Sequence, residues 1–351
     1  GYSPEQITAR HGGPVTDIVG PFRPDWRTAR PHAPYHKGDG HITDDTLMTH
    51  ALVEVYAKRR RYLDAYAVAE DLVPLLIDET RWVPELEAEA LLLSRIFLAE
   101  KWLVARLHYG HVDPREAGVG NIVNCGAAMY MAPVGVVNAA DPAAAYTEAI
   151  DVAGAHQSSY GREAAGVYAA AVAAAMTAGA TAADVIEACL DLAHDGTRAA
   201  IEAVCSVGAP DWKSAIPLLR RAIEPFDTVG PEYRAPALDA RRPSRTKAIE
   251  ELPVALGLVL LTGGSYSEAV LGGVNYGRDA DSIASMAGAI TGALGGVDAV
   301  PAEWRQGVSA ASKTDIEAPG RVMATLAVEL AATDAAQARA RESAMARLAE
   351  Q

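Results

Sequence analysis

The sequence predicts an all-α protein, and three observations carry that prediction. Alanine-rich stretches with apolar residues at spacings of three and four recur along the chain, the periodicity of helices that bury one face. Alternating runs of β-branched and aromatic residues, which mark half-buried strands, are scarce, and only 3 of the 351 residues are Phe. Helix punctuation falls where the periodicity breaks: Asp141-Pro142 opens one candidate and Gly179 closes another.

Taken in chain order, helices are expected over 44–60, 62–78, 84–107, 142–155, 161–178, 181–194, 197–206, 212–222, 246–262, 265–274, 280–295, 301–313 and 320–348. The uncharged run from Ala164 to Ala183 is as long as a membrane span, yet it is mostly alanine. That composition suits a tightly packed buried helix rather than lipid. The first forty residues, rich in Pro, Gly and His, and the Glu224–Arg245 stretch with four prolines are expected to be irregular. Irregular segments of that length in a compact chain are usually functional loops. No repeat period or composition break divides the sequence, so residues 1–351 are expected to form a single helical domain.

Composition narrows the function classes. Half of the residues are apolar, enough buried surface to offset chain entropy, so the chain is expected to be ordered. A net charge of −14 makes it repel phosphate backbones as a whole, and no sizeable basic patch offsets this, so no nucleic-acid partner is expected. Cys125, Cys189 and Cys205 are odd in number and far apart, which argues against a disulfide framework or a zinc cluster and fits a reducing cytoplasm. Gly1–Glu5 has neither a basic start nor an apolar stretch, so no export signal is expected. The basic run Lys58–Arg61 ends a helix, where cations complement the dipole.

Two acidic turns stand out. In Gly38-Asp39-Gly40-His41-Ile42-Thr43-Asp44-Asp45-Thr46 a glycine-rich segment runs into a helix start. Helix capping alone would account for Thr43 and the two aspartates. In Asn275-Tyr276-Gly277-Arg278-Asp279-Ala280-Asp281-Ser282 a second glycine turn leads into a helix poor in bulk, and Asp279 and Asp281 are expected to project to one side with Ser282 beside them. Aspartates and hydroxyls gathered from both starts would supply hard oxygen ligands for Mg²⁺, Ca²⁺ or Mn²⁺. Four carboxylates crowded together without a cation would raise one another's pKa values, and a pair of divalent ions would relieve the repulsion. Adjacent Asp44 and Asp45 diverge by about 100° on a helix, so they are expected to serve two different ions.

Other segments have simpler readings. Gly288, Gly292, Gly295 and Gly296, separated by small residues, fit close helix packing. The segment from Gly118 to Pro133 is a glycine-rich turn whose amides could cradle phosphate, and Ala155–Gly161 is a His and hydroxyl cluster between two helices. Taken alone, each reads first as a helix connection with satisfied polar groups. Cys125 reads as a small buried residue, with no paired His identifiable.

Together and in this order, Thr43-Asp44-Asp45-Thr46, Asn124-Cys125-Gly126-Ala127-Ala128-Met129 with Ala132-Pro133-Val134-Gly135, His156, and Asp279-Ala280-Asp281-Ser282 resemble the ADP-ribosylglycohydrolase family, which includes the dinitrogenase-reductase-activating glycohydrolases. The resemblance covers nearly the whole chain. It implies a single compact orthogonal all-α domain with a dinuclear Mg²⁺ centre, Mn²⁺ being possible in its place. By position, Thr43, Asp44, Asp45, Asp279, Asp281 and Ser282 would ligate the metal, while Asn124, Gly126, Ala127, Met129, His156, Ser158, Ser159, Tyr160 and Gly161 would line the substrate cleft. In the family a Gly-Asp-Ala-Leu-Gly helix with a following glutamate precedes the first motif, and this sequence is expected to begin just after it. Tyr130 stands where the family commonly has arginine, and Arg278 and Ser282 where it has glycine and threonine.

The chemistry so implied is cleavage of the bond at a ribose anomeric carbon through an oxocarbenium-like transition state, with Asp44 or Asp45 as the general base and the upstream glutamate as its rival. The expected substrate is ADP-ribose-type, with ADP-ribosylated proteins in that class. A small nucleoside-type riboside and a non-catalytic ADP-ribose-binding descendant are the alternatives. An isoprenoid cyclase fits less well, because the first motif lacks DDxxD spacing and 6% aromatic residues is sparse for a cavity that stabilises carbocations.

Overall fold

The computed structural model describes residues 2–21, 38–83, 87–226 and 248–349. Its elements, in chain order, are α1 (Pro4–His11), α2 (Asp44–Arg59), α3 (Ala65–Ala67), α4 (Val73–Asp78), β1 (Thr80–Val83), β2 (Ala88–Leu91), α5 (Leu98–Leu103), α6 (Ala132–Val137), α7 (Pro142–Gly154), α8 (Ser159–Ala175), α9 (Ala182–Leu192), α10 (Asp195–Cys205), α11 (Trp212–Ile223), α12 (Ala248–Leu261), α13 (Tyr266–Tyr276), α14 (Ala280–Gly295), α15 (Ala302–Ser312) and α16 (Ala318–Ala349). The all-α expectation holds, with one small antiparallel hairpin, Thr80 opposite Leu91, among the described residues.

Helix α8 lies at the centre. It packs against α6, α7, α9, α12 and α14, and its run from Ala164 to Ala175 is buried throughout. An alanine helix brings little apolar area per residue, so it can stabilise a core only by letting neighbouring backbones approach closely. Gly166 accordingly sits against the Tyr146 ring of α7. No described helix is long and apolar enough to cross a membrane. The caps are those the sequence advertises: Asp141 Oδ1 accepts from the Ala144 amide at 3.0 Å, and Thr181 and Asp184 form a reciprocal capping box.

Several sequence expectations are corrected. The helix expected over 84–107 is instead β2 and α5, separated by a 3₁₀ turn at Leu92–Ser94, and a π turn at Val104–Tyr109 follows α5. Ala88-Glu89-Ala90-Leu91 would favour a helix in isolation, but pairing with Thr80–Val83 captures it as a strand, tertiary context overriding a weak preference. The helix expected over 62–78 is interrupted by a π turn at Val68–Leu72. The amino-terminal segment, expected to be irregular, contains α1, which opens on a Ser3/Gln6 capping box and closes on Gly12. Helix α6, which starts on Pro133 in its first turn, is a further addition. In the Glu224–Arg245 stretch, Glu224–Phe226 is a 3₁₀ turn. Residues 227–245 and 22–37 lie outside the described residues.

The hairpin of α13 and α14 positions the second acidic turn. It closes so tightly that a Cβ on Gly273 would lie 2.9 Å from the Ala284 backbone. Gly273→Ala is therefore expected to destabilise the protein by about 1–3 kcal/mol through overpacking. Gly320→Ala, with nothing within 4 Å of the new methyl, should be neutral or stabilising by up to about 1 kcal/mol. Urea denaturation midpoints check both, and equal shifts would contradict the close approach.

Candidate metal centre

Both acidic turns occupy helix starts, and in neither do the aspartates act as caps. Thr43 holds the N-cap position of α2 in extended backbone with no side-chain cap bond. Its Oγ1 donates to Asp45 Oδ2 at 3.1 Å instead. Asp44 Oδ2 accepts from the Phe97 amide at 3.0 Å. Asp45 is 2% exposed, and its Oδ1 has no hydrogen-bond partner among the described residues. At the second turn, Gly277 and Arg278 both adopt left-handed backbone, with φ of 77° and 57°. The Arg278 amide is held by Tyr2 O at 2.6 Å, and this turn aims Asp279, the N-cap of α14, away from its own helix. Asp279 Oδ2 then accepts from the Cys125 thiol at 3.0 Å.

The two turns meet. Ligand atoms of Asp44, Asp45 and Asp281 lie within 4.8 Å of one another, and so do those of Cys125, Glu251 and Asp279. This differs from the expected division, in which Asp44 and Asp45 served separate ions and Asp279 and Asp281 shared one side. The ideal angle of about 100° applies along a regular helix, whereas side chains at a helix start can be drawn together by outside donors. Here Thr43 and Phe97 are those donors.

Two acidic residues join the centre that the sequence reading missed. Glu100 of α5 is 1% exposed and has one unpartnered oxygen, Oε2. Its other oxygen abuts Gly126, where a Cβ would lie 2.3 Å away. Glu251 of α12 is fully buried beside Cys125. The signal for both was present: Glu100 stands in the first turn of α5 among Ile96, Ala99 and Leu103, and Glu251 shares a helix face with Val254, Ala255 and Leu258, all buried. An acid on an apolar helix face is a departure from pattern that asks for a partner.

Burial is the main cause of the perturbed acidities. It raises Asp44 and Asp45 well above the usual carboxylate range, with the charges of Glu100 and Asp281 the next largest contributions respectively. Burial pushes Glu100 up to about 8, partly opposed by backbone amides that include Phe97. It brings Asp279 to about 7, with Asp281 adding to the rise. The Cys125 thiol is also raised, by burial and then by Asp279.

The expected substrate residues divide into two groups. Asn124, Gly126, Ala127, Met129, His156 and Gly161 are buried, forming the wall behind the centre. Asn124 Oδ1 accepts from the Gly126 amide and from Gln157 Nε2. His156 Nε2 donates to Ala99 O, which leaves Nδ1 to accept from the Tyr130 hydroxyl. Burial lowers His156 to about 4, so it is a neutral core histidine that braces α5 beneath Glu100. Ser158, Ser159 and Tyr160 reach the surface, Ser159 with a left-handed φ of 54°. Ser282 is 2% exposed within the first turn of α14. A cavity of about 270 Å³ beside His41 and Ile42 is lined by Arg81, Trp82, Arg95 and Lys313 among others, and by none of the clustered carboxylates.

The sequence model of a family described as ADP-ribosylglycohydrolase matches residues 1–344. A solved structure titled "ADP-ribosylglycohydrolase-related protein complex" is similar, with a TM-score of 0.56 and 19% identity over 92% of this chain and 95% of that one. No curated protein matches the sequence.

The proton affinities set a pH dependence. A carboxyl raised on folding leaves stability intact below its unfolded pKa and removes it as pH climbs through the folded value. In the presence of a chelator, melting temperature is expected to fall as pH rises from about 4, where the carboxyls of the unfolded chain ionise, to about 8, and to level off once Asp279 and Glu100 have ionised in the folded chain as well. Excess divalent cation should abolish most of that fall. Thermal melts along this series check it, and a flat profile in chelator would count against the cluster.

Proposed function

The chain belongs to the ADP-ribosylglycohydrolase family, and on that premise we propose that it is a divalent-cation-dependent hydrolase that cleaves the bond at the ribose anomeric carbon of an ADP-ribosyl or related ribosyl substrate. The observation that carries the proposal is the convergence of two acidic turns, 234 positions apart from Asp45 to Asp279 by sequence number, around a buried carboxylate oxygen with no hydrogen-bond partner among the described residues.

The donor set suits a hard divalent ion. Thr43, Asp44, Asp45, Asp279, Asp281 and Ser282 are the residues that would hold Mg²⁺ or Mn²⁺. Such ions supply an electrophilic clamp for ribose hydroxyls and a water of lowered pKa. The protein residues do the rest. The crowded carboxylates place negative charge where an oxocarbenium-like transition state develops positive charge. Asp44 or Asp45 takes the proton from the attacking water as its oxygen bonds to the anomeric carbon and the aglycone departs. Glu100 belongs to neither triad of ligand atoms and is the rival base. Gly126 and His156 lie against Glu100, and Ser158, Ser159 and Tyr160 are proposed to contact substrate at the rim.

A free riboside is the second reading. Tyr130, where the family commonly has arginine, is fully buried with its hydroxyl committed to His156, and Arg278 is committed to Glu250 at 2.9 Å. Neither residue is placed to recognise a protein-linked aglycone. The continuous apolar cluster from Leu47 to Leu330 supports treating the chain as one functional unit.

Asp44→Asn and Asp281→Asn are each expected to lower turnover on the order of 100-fold or more with unchanged helical circular dichroism. Full activity in either variant would sink the assignment. A parallel assay of ADP-ribosylated protein and small ribosides separates the two substrate readings, since exclusive riboside turnover rejects the first.

A further inference from the structure

We propose that the cavity beside His41 and Ile42 is an anion site that takes the phosphate group of a small phosphorylated ligand, separate from the carboxylate centre and independent of it. The cavity encloses about 270 Å³, just under the range of about 300–1,000 Å³ typical of small-molecule sites, which suits one compact ligand. Three cations, Arg81, Arg95 and Lys313, line it against one carboxylate, Glu89. In a chain whose net charge is −14 this is a local reversal of sign, and a concave wall of one sign concentrates ligands of the other.

The three cations are held in different ways. Arg81 pairs with Glu54 at 2.8 Å and with Glu79 at 3.3 Å, so much of its charge is already answered. Arg95 is 2% exposed, and its guanidinium donates to Ile42 O at 2.6 Å and to Trp82 O at 3.4 Å. A guanidinium carries five N–H donors in one plane, and these two bonds fix that plane at the cavity wall. Lys313 Nζ lies 3.4 Å from the centroid of the Trp82 ring, which holds the ammonium at the cavity by cation–π attraction without neutralising it. Lys313 also closes α15 in left-handed backbone, with φ of 52°, a position that glycine fills at lower cost. Its backbone conformation therefore does not require the side chain it carries.

Donors reach the cavity from β1, from the turn before α5 and from the end of α15. A phosphate accepts on several oxygens from several directions and so suits such a set, whereas a carboxylate presents two oxygens in one plane. The same wall repels a cationic ligand. Ile42, whose carbonyl Arg95 holds, directly precedes Thr43, yet none of the clustered carboxylates lines the cavity, so the two sites can be tested apart.

Isothermal calorimetry provides the test, with inorganic phosphate and ribose 5-phosphate as probes. Titrations are run on the protein as isolated and again after chelation and dialysis, for the native chain, Lys313→Gly, Lys313→Glu and Asp44→Asn. The native chain is expected to bind inorganic phosphate with an affinity that falls as salt rises and that neither chelation nor Asp44→Asn changes. Lys313→Gly relaxes the backbone and should keep or raise the melting temperature, yet weaken phosphate about 10-fold or more through loss of a charge-assisted hydrogen bond. Lys313→Glu should abolish binding. Tighter binding of ribose 5-phosphate than of phosphate by the metal-free protein assigns the cavity to a phosphorylated sugar, and equal or weaker binding assigns it to the free anion. No phosphate binding by the native chain, loss of binding on chelation, or equal affinity in the native chain and Lys313→Gly overturns the proposal and leaves the metal centre untouched.

Discussion

Several carboxylates share one buried space, and that crowding governs the rest of the molecule. Three helices begin there: α2 at Asp44, α5 just after Phe97, and α14 just after Asp279. Their amino-terminal amides and dipoles favour anions, and the Phe97 amide bonds Asp44 directly. The magnitude is insufficient, however. A helix terminus contributes about 0.3–1 kcal/mol per charge, while taking an ionised carboxylate out of water costs several kcal/mol. The balance is met by protons, as the raised affinities of Asp279 and Glu100 record, or by cations. A chain that needed only stability would not retain such a cluster, because apolar residues of similar volume would serve at least as well.

Convergence of helix starts depends in turn on close packing elsewhere. α14 reaches the centre because Gly273 lets α13 lie against it, and α8 tolerates neighbours on several sides because most of its buried residues are alanine or glycine. The small-residue composition and the acidic centre are thus two ends of one design: thin helices bring their starts within reach of a common point.

The helices were legible in the sequence wherever a 3.6-residue pattern ran unbroken, as from Pro142 to Ala175 and from Tyr266 to Gly295. The hairpin was not, because Ala88–Leu91 owes its strand conformation to its partner rather than to its own residues. Within the centre, Thr43, Asp44, Asp45, Asp279, Asp281 and Ser282 were visible because acids and hydroxyls next to glycine turns interrupt a helical pattern. Glu100 and Glu251 were harder to see, each a single letter inside a regular helix. Their role follows from burial, which is a tertiary property. The surroundings of His156 are tertiary in the same way. Its two ring nitrogens are spent on Ala99 and Tyr130, commitments that no local spacing announces.

The division of ligands between the two triads has a consequence for how the centre works. Asp279 and Asp281 leave the same helix start in different directions, one toward sulfur and one toward the Asp44–Asp45 pair. The α14 start thus contributes one carboxylate to each group, so any shift of its turn, which the Tyr2 carbonyl holds at the Arg278 amide, displaces a member of both groups at once. Close packing of α13 on α14 limits such shifts, and a turn that cannot move keeps the carboxylates in place without reorganisation.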